Sequence, residues 1–290
     1  MDKFKGMGVA MVTPFDAQKN VDYQALEKHT EHLVNQGANY LVVMGTTGEN
    51  PTISQNDQDL ILSRVLEVNA GRIPVVFGIG GNNTEALKKR LSAAPLQQVD
   101  GILSVSPYYN KPNQSGILKH FTSLADVSSK PIILYNVPGR TGSMMHVDTI
   151  LELARHENIV AIKEASGSFD HVNKLLLAKE DDFLVISGDD AYTLPFIAMG
   201  MSGVISVVGN AFPKEFSQMV RYMLDGNVEN ARYLHYKLLP IMEAIFEDGN
   251  PGGIKRILNK MGFMREEFRM PVEPVNAEVA EKLDQLLAAF

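Results

Sequence analysis

The feature that most constrains this chain is a short, almost uninterrupted apolar run that returns eight times: Gly8–Val12, Tyr40–Met44, Val75–Gly78, Gly101–Val105, Ile132–Tyr135, Val160–Lys163, Leu184–Ser187 and Val204–Val207. A strand with one wet face alternates apolar and polar residues, whereas a strand covered on both faces does not, so these runs read as strands of a buried parallel sheet. The segments between them carry helical spacing; Leu26, His29, Leu33 and Val34, for example, fall on one face. Strand ends recur roughly every 20 to 35 residues, the span of one βα unit, and eight such units in about 225 residues predict an α/β fold of the (β/α)8 TIM-barrel type. A doubly wound open sheet is the competing architecture. After Asp225 only helical periodicity remains, over Val228–Phe246, Gly253–Met261 and Asn276–Phe290, the last with Val279, Leu283, Leu286, Leu287 and Phe290 in a stripe. The expected organisation is a catalytic barrel over residues 1–225 and a C-terminal helical extension over 226–290, packed on the barrel or on a partner subunit.

Composition removes several classes of function. A net charge of -7 argues against a surface built to coat phosphates, so neither nucleic acid nor an anionic membrane is an expected partner. There is no cysteine, which excludes disulfides, thiolate metal sites and a cysteine nucleophile. The seven histidines are scattered; His29 and His32 share a helix face without a third ligand, so no metal site is expected. The apolar run near the N-terminus is short and broken by Thr13 and Pro14, unlike a signal peptide, and no window approaches the roughly 18 apolar residues of a membrane span. The expected location is cytoplasmic.

Reactive groups of a TIM barrel sit at the C-terminal ends of its strands. Reading those ends gives Gly45-Thr46-Thr47-Gly48-Glu49-Asn50, Gly78-Ile79-Gly80-Gly81-Asn82, Ser106-Pro107-Tyr108-Tyr109-Asn110, Tyr135-Asn136-Val137-Pro138-Gly139-Arg140-Thr141, Lys163-Glu164-Ala165 and Ser187-Gly188-Asp189-Asp190, a set of polar groups expected to converge on one rim. Lys163 closes the apolar run Ile159-Val160-Ala161-Ile162. An ordinary lysine, with a pKa of about 10.4, is almost wholly protonated at neutral pH, and removal from water favours the neutral amine that a nucleophile needs. A strand-end lysine reaching into solvent is the bland alternative. Tyr135 ends the neighbouring strand, where a phenol can pass protons to and from that amine. Thr46 and Thr47, flanked by glycines, suit a carboxylate through hydroxyls and backbone N–H groups, and the segment lacks the Gly-Lys-Ser/Thr ending of a nucleotide loop. Arg140, after a Pro-Gly turn, can clamp a carboxylate with both arms of its guanidinium. The Gly78-x-Gly80-Gly81 run fits a rim loop better than a dinucleotide fingerprint.

In this order, and together with Thr13-Pro14-Phe15, Lys111-Pro112, Gly203-Val204-Ile205-Ser206 and Arg269-Met270-Pro271, these motifs make the chain resemble, along its whole length, the dihydrodipicolinate synthase and N-acetylneuraminate lyase superfamily of pyruvate-dependent class I aldolases. The resemblance implies that Lys163 forms a Schiff base with pyruvate, and that Tyr135, Thr46 and Tyr109 form a proton relay, with Tyr109 entering the site of a neighbouring subunit in a homotetramer. It implies that Thr47 and the backbones of Gly188 and Ile205 surround pyruvate and that Arg140 binds the carboxylate of L-aspartate 4-semialdehyde. The implied product is 4-hydroxy-tetrahydrodipicolinate, on the route to diaminopimelate and lysine, made without metal or organic cofactor. An N-acetylneuraminate lyase or 2-keto-3-deoxy-sugar-acid aldolase shares the barrel and the Schiff base and is the nearest alternative, and a non-catalytic keto-acid-binding barrel is an alternative of another class.

Two departures stand out. The stretch Asn250-Pro251-Gly252-Gly253 replaces the more usual Asn-Pro-Ile-Pro, a change expected to affect the helical extension rather than the site. Lysine-inhibited relatives carry histidine and glutamate at positions aligned with Gln55 and Ala86, so feedback inhibition is not expected here, although Asn50, Asn82 and Tyr108 remain to contribute to an allosteric pocket.

Overall fold

The computed structural model describes residues 2–290. Eight parallel strands, β1 (Gly6–Ala10), β2 (Tyr40–Val43), β3 (Val75–Gly78), β4 (Gly101–Val105), β5 (Ile132–Asn136), β6 (Ile159–Glu164), β7 (Leu184–Ser187) and β8 (Gly203–Ser206), pair in chain order and close through β1 and β8. The closed barrel, and not the open sheet, is therefore the fold. The helices are α1 (Tyr23–Asn35), α2 (Gln55–Asn69), α3 (Thr84–Ala93), α4 (Gln114–Val127), α5 (Pro138–Thr141), α6 (Val147–Ala154), α7 (Phe169–Ala178), α8 (Thr193–Met199), α9 (Pro213–Leu224), α10 (Val228–Ala244), α11 (Gly252–Lys260) and α12 (Ala277–Ala289). Asp22, Ser54, Asn83, Asn113, Ser168, Asn227 and Asn276 start helices because their short side chains accept hydrogen bonds from backbone N–H groups that the first turn leaves free.

Two apolar layers hold the barrel, and the period of two along each strand decides which residue enters which layer. Val42, Val76, Leu103, Ile133, Ala161, Ile186 and Ile205 point into the lumen, while Leu41, Val43, Phe77, Ile102, Ile162 and Val185 pack outward under the helices. The N-terminal end of the lumen is plugged by Tyr40 and Phe4, fully buried and edge-to-face with ring centroids 5.9 Å apart. Glycine makes room for that plug: a Cβ on Gly8 would lie 2.1 Å from the Tyr40 ring, and one on Gly101 2.8 Å from the Phe4 ring.

The first and last expected strands lie one or two residues too far along the chain, for a common reason. The N–H of Val12 is taken by Asn210 Oδ1 at 3.2 Å, and that of Val207 by Asp190 Oδ2 at 3.0 Å. Side chains replace the sheet as hydrogen-bond acceptors at both points, so the strands end at Ala10 and Ser206.

Closure depends on close backbone contact at Gly203, which sits at φ +145° with the Gly6 carbonyl oxygen 2.0 Å from where a Cβ would be. Gly203→Ala is expected to lower the free energy of unfolding by at least about 3 kcal/mol, because the strain cannot be relieved by moving a side chain. Urea unfolding of the two proteins measures this directly.

Candidate active site

The candidate reactive pair is set by strand register. Tyr135 of β5 is paired with Lys163 of β6, and the lumen parity of Ile133 and Ala161 carries both side chains inward at the C-terminal end of the barrel. Lys163 is 5% exposed and Tyr135 7%, and the lysine Nζ lies 4.6 Å from the centroid of the phenol ring. The amine is thus held in a nearly dry enclosure beside a group that can exchange protons. Gly188, at the end of β7, makes this placement possible: a Cβ there would come within 2.9 Å of Lys163 Cε and 2.6 Å of the Ala165 Cβ. Ile205 is fully buried in the lumen lining.

Above the strand ends lies a cavity of about 490 Å³ whose walls include Thr46, Asn50, Tyr108, Tyr135 and Arg140. Thr46 is exposed on a 3-10 turn, Thr46–Gly48, that follows β2. Arg140 is exposed on the single turn of α5 and has no ion-pair partner among the described residues, so its guanidinium is free for an anion. Thr47 is buried, and its Oγ1 accepts a hydrogen bond from Asn250 Nδ2 at 3.0 Å. Tyr109 behaves differently from the rest of the set. It is 90% exposed at φ 67° and lines no part of this cavity.

The residues considered for an allosteric pocket are largely committed to backbone. Asn50 donates to the Met44 carbonyl at 2.7 Å and its Oδ1 accepts from Gln58 at 3.0 Å; Asn82 Oδ1 accepts from the Tyr108 N–H at 3.0 Å. Tyr108 is 39% exposed, and Gln55 and Ala86 are both exposed.

Comparison with known proteins agrees with this geometry along the whole chain. The profile of the dihydrodipicolinate synthetase family matches residues 3–290. The chain belongs to that family. It is 48% identical to the 4-hydroxy-tetrahydrodipicolinate synthase of Flavobacterium psychrophilum over 285 residues, 98% of this chain and 97% of the relative. The solved dihydrodipicolinate synthase of Thermotoga maritima superposes with a TM-score of 0.96 at 37% identity, covering 99% of this chain and 98% of that one. That of Aquifex aeolicus gives 0.95 at 38%, with the same coverage.

Within a dihydrodipicolinate synthetase barrel, several supporting residues carry no signature of their own. Asn136 and Glu164, one step past Tyr135 and Lys163, have the opposite parity and point outward, which corrects the expectation that all strand-end polar groups meet on the rim. Asn136 Nδ2 donates to Glu164 Oε2 at 2.8 Å, and the N–H of Met145 donates to Asn136 Oδ1 at 3.1 Å. His171 Nε2 of α7 lies 3.3 Å from the same Glu164 oxygen. This buried cluster fixes the rung on which Lys163 and Tyr135 sit. Asp190 accepts from the N–H groups of Val207 at 3.0 Å and Val208 at 2.7 Å, anchoring the loop after β8, and burial pushes its carboxyl up to about 6.

The Thr46–Glu49 loop is tied to the C-terminal helices by a buried ion pair. Lys255 Nζ of α11 meets Glu49 Oε1 at 2.5 Å with both side chains fully buried, donates also to the Glu267 carbonyl at 2.9 Å, and lies between the rings of Phe15 and Phe268. Burial pulls the ammonium down to about 8, against the opposing pull of Glu49. Asn250, which the usual Asn-Pro-Ile-Pro form shares, also reaches Thr47, so the start of the extension touches the rim. Parity and spacing show which residues end strands; they do not show which distant carboxylate a helix lysine will meet.

Lys255→Met is expected to cost about 3–5 kcal/mol by stranding the Glu49 carboxylate, and the double substitution with Glu49→Gln to recover part of that loss, because a neutral pair in the same space removes the uncompensated charge. Denaturant unfolding of the three variants tests the ordering.

Proposed function

We propose that the chain condenses pyruvate with L-aspartate 4-semialdehyde to form 4-hydroxy-tetrahydrodipicolinate, as a 4-hydroxy-tetrahydrodipicolinate synthase of the lysine and diaminopimelate route. The observation that carries the reading is the Lys163–Tyr135 rung, a buried amine 4.6 Å from a phenol ring, in a family lyase of class I aldolase type. The Lys163 amine adds to the ketone carbon of pyruvate. Tyr135, with Thr46, protonates the carbinolamine hydroxyl, which departs as water and leaves an iminium on Nζ. That cation draws electrons from the methyl group, a proton leaves it, and the resulting enamine carbon attacks the aldehyde. The amino group of the bound semialdehyde then displaces the lysine as the ring closes, so one water is released overall and the amine is regenerated. The electron sink is the lysine nitrogen itself, and the reaction as written calls for no metal or organic cofactor.

Thr47 and the backbones of Gly188 and Ile205 hold pyruvate in this reading, and Arg140, exposed on the cavity wall without a carboxylate partner, receives the carboxylate of the semialdehyde. Tyr109 completes the relay in a neighbouring subunit of a homotetramer; its 90% exposure and its place outside the walls of its own cavity support this. Residues 1–225 act as the catalytic barrel and 226–290 as the extension that braces its rim. We place the enzyme in the cytoplasm. No helix among the described residues is long and apolar enough to cross a membrane.

Borohydride added with pyruvate is expected to fix a pyruvate-derived mass on Lys163, read by peptide mass spectrometry; an unmodified Lys163 would remove the Schiff base. Arg140→Ala is expected to depress turnover of the semialdehyde about a hundredfold while pyruvate trapping on Lys163 proceeds, since a charged, two-armed contact is lost only in the second half-reaction. Equal loss in both steps would take away the role assigned to Arg140.

A further inference from the structure

The contact between Asn250 and Thr47 joins residues 203 positions apart. Asn250 Nδ2 donates to Thr47 Oγ1 at 3.0 Å. Its effect on Thr47 is specific. A threonine hydroxyl has one proton and accepts through its lone pairs; with the Asn250 N–H on the acceptor side, the rotamer is fixed and the hydroxyl proton is turned away from Asn250.

The local sequence is shaped to bring the amide there. Gly249 has φ +89°, and helix α11 starts with two glycines in very close contact: a Cβ on Gly253 would lie 2.5 Å from the Ile245 backbone, and one on Gly252 2.9 Å from Val275 Cγ1. Only glycine lets the start of α11 settle so deeply against the end of α10. The Lys255–Glu49 pair holds the same loop one turn away, and Thr13 Oγ1 donates to the Gly48 carbonyl at 2.7 Å, so the loop around Thr47 is fastened on three sides.

We propose that Asn250 is a positioning residue for pyruvate: by occupying the acceptor side of the Thr47 hydroxyl, it commits that hydroxyl to donate to the pyruvate carboxylate. This rests on the Schiff-base reading of the site and on the place of Thr47 within it. The C-terminal extension thereby sets the affinity for the first substrate, although it supplies no group that touches the reacting atoms.

The test is a double-mutant cycle on steady-state kinetics with pyruvate varied. Asn250→Ala, and Asn250→Leu, which keeps the shape of the side chain without its donor, are each expected to raise the KM for pyruvate about tenfold, with kcat at saturating pyruvate within about twofold of the parent. Thr47→Val is expected to raise it to the same extent, and either Asn250 change on the Thr47→Val background to add nothing further. If Asn250→Ala does not fold, as judged by its thermal transition, Asn250→Leu carries the cycle. Additive effects of the Asn250 and Thr47 changes, an unchanged KM in a folded Asn250→Leu protein, or an unchanged KM in Thr47→Val would each overturn the proposal. Failure of the parent protein to trap pyruvate on Lys163 would instead overturn the reading beneath it, which separates the two.

Discussion

The whole site depends on the pleat of two neighbouring strands. Because successive side chains of a strand point to opposite faces, the register that pairs Tyr135 with Lys163 sends both into the lumen and sends Asn136 and Glu164 the other way. A slip of one residue that moved the amine to the place of Ile162, in the apolar layer under the helices, would bring Glu164 into the lumen. Neither layer tolerates that exchange, since an unpaired charge in an apolar setting is far more costly than the loss of one aliphatic contact. The outward cluster of Asn136, Glu164 and His171 adds a second lock on the same rung, so the two faces of β5 and β6 enforce one register from opposite sides.

The rim is then a matter of bringing distant segments to that rung. The turn after β2 supplies the threonines, α5 supplies a free guanidinium, and the end of β7 supplies a glycine without which the lysine side chain could not lie where it does. Gly188 illustrates how one residue can serve in two ways, because the missing side chain that clears Lys163 also leaves a bare backbone beside it.

Much of this was legible in the residues themselves. Eight doubly covered apolar runs have few other solutions than a closed barrel, and the polar residues ending these runs mark one rim, which is why Lys163, Tyr135 and Arg140 could be placed there in advance. Three kinds of information were not carried locally. Outward-facing polar residues at strand ends look the same as inward-facing ones unless register is known, so Glu164 read as part of the rim. Partners far apart in the chain, such as Glu49 with Lys255 or Thr47 with Asn250, have no spacing that announces them. Strand ends were displaced where Asn210 and Asp190 captured backbone N–H groups, an event that depends on tertiary placement and not on propensity.

The aromatic plug formed by Phe4 and Tyr40 has a bearing on traffic through the barrel. It stoppers the end opposite Lys163 and Tyr135. In the proposed reaction both substrates would therefore come in, and water and product go out, past one and the same rim.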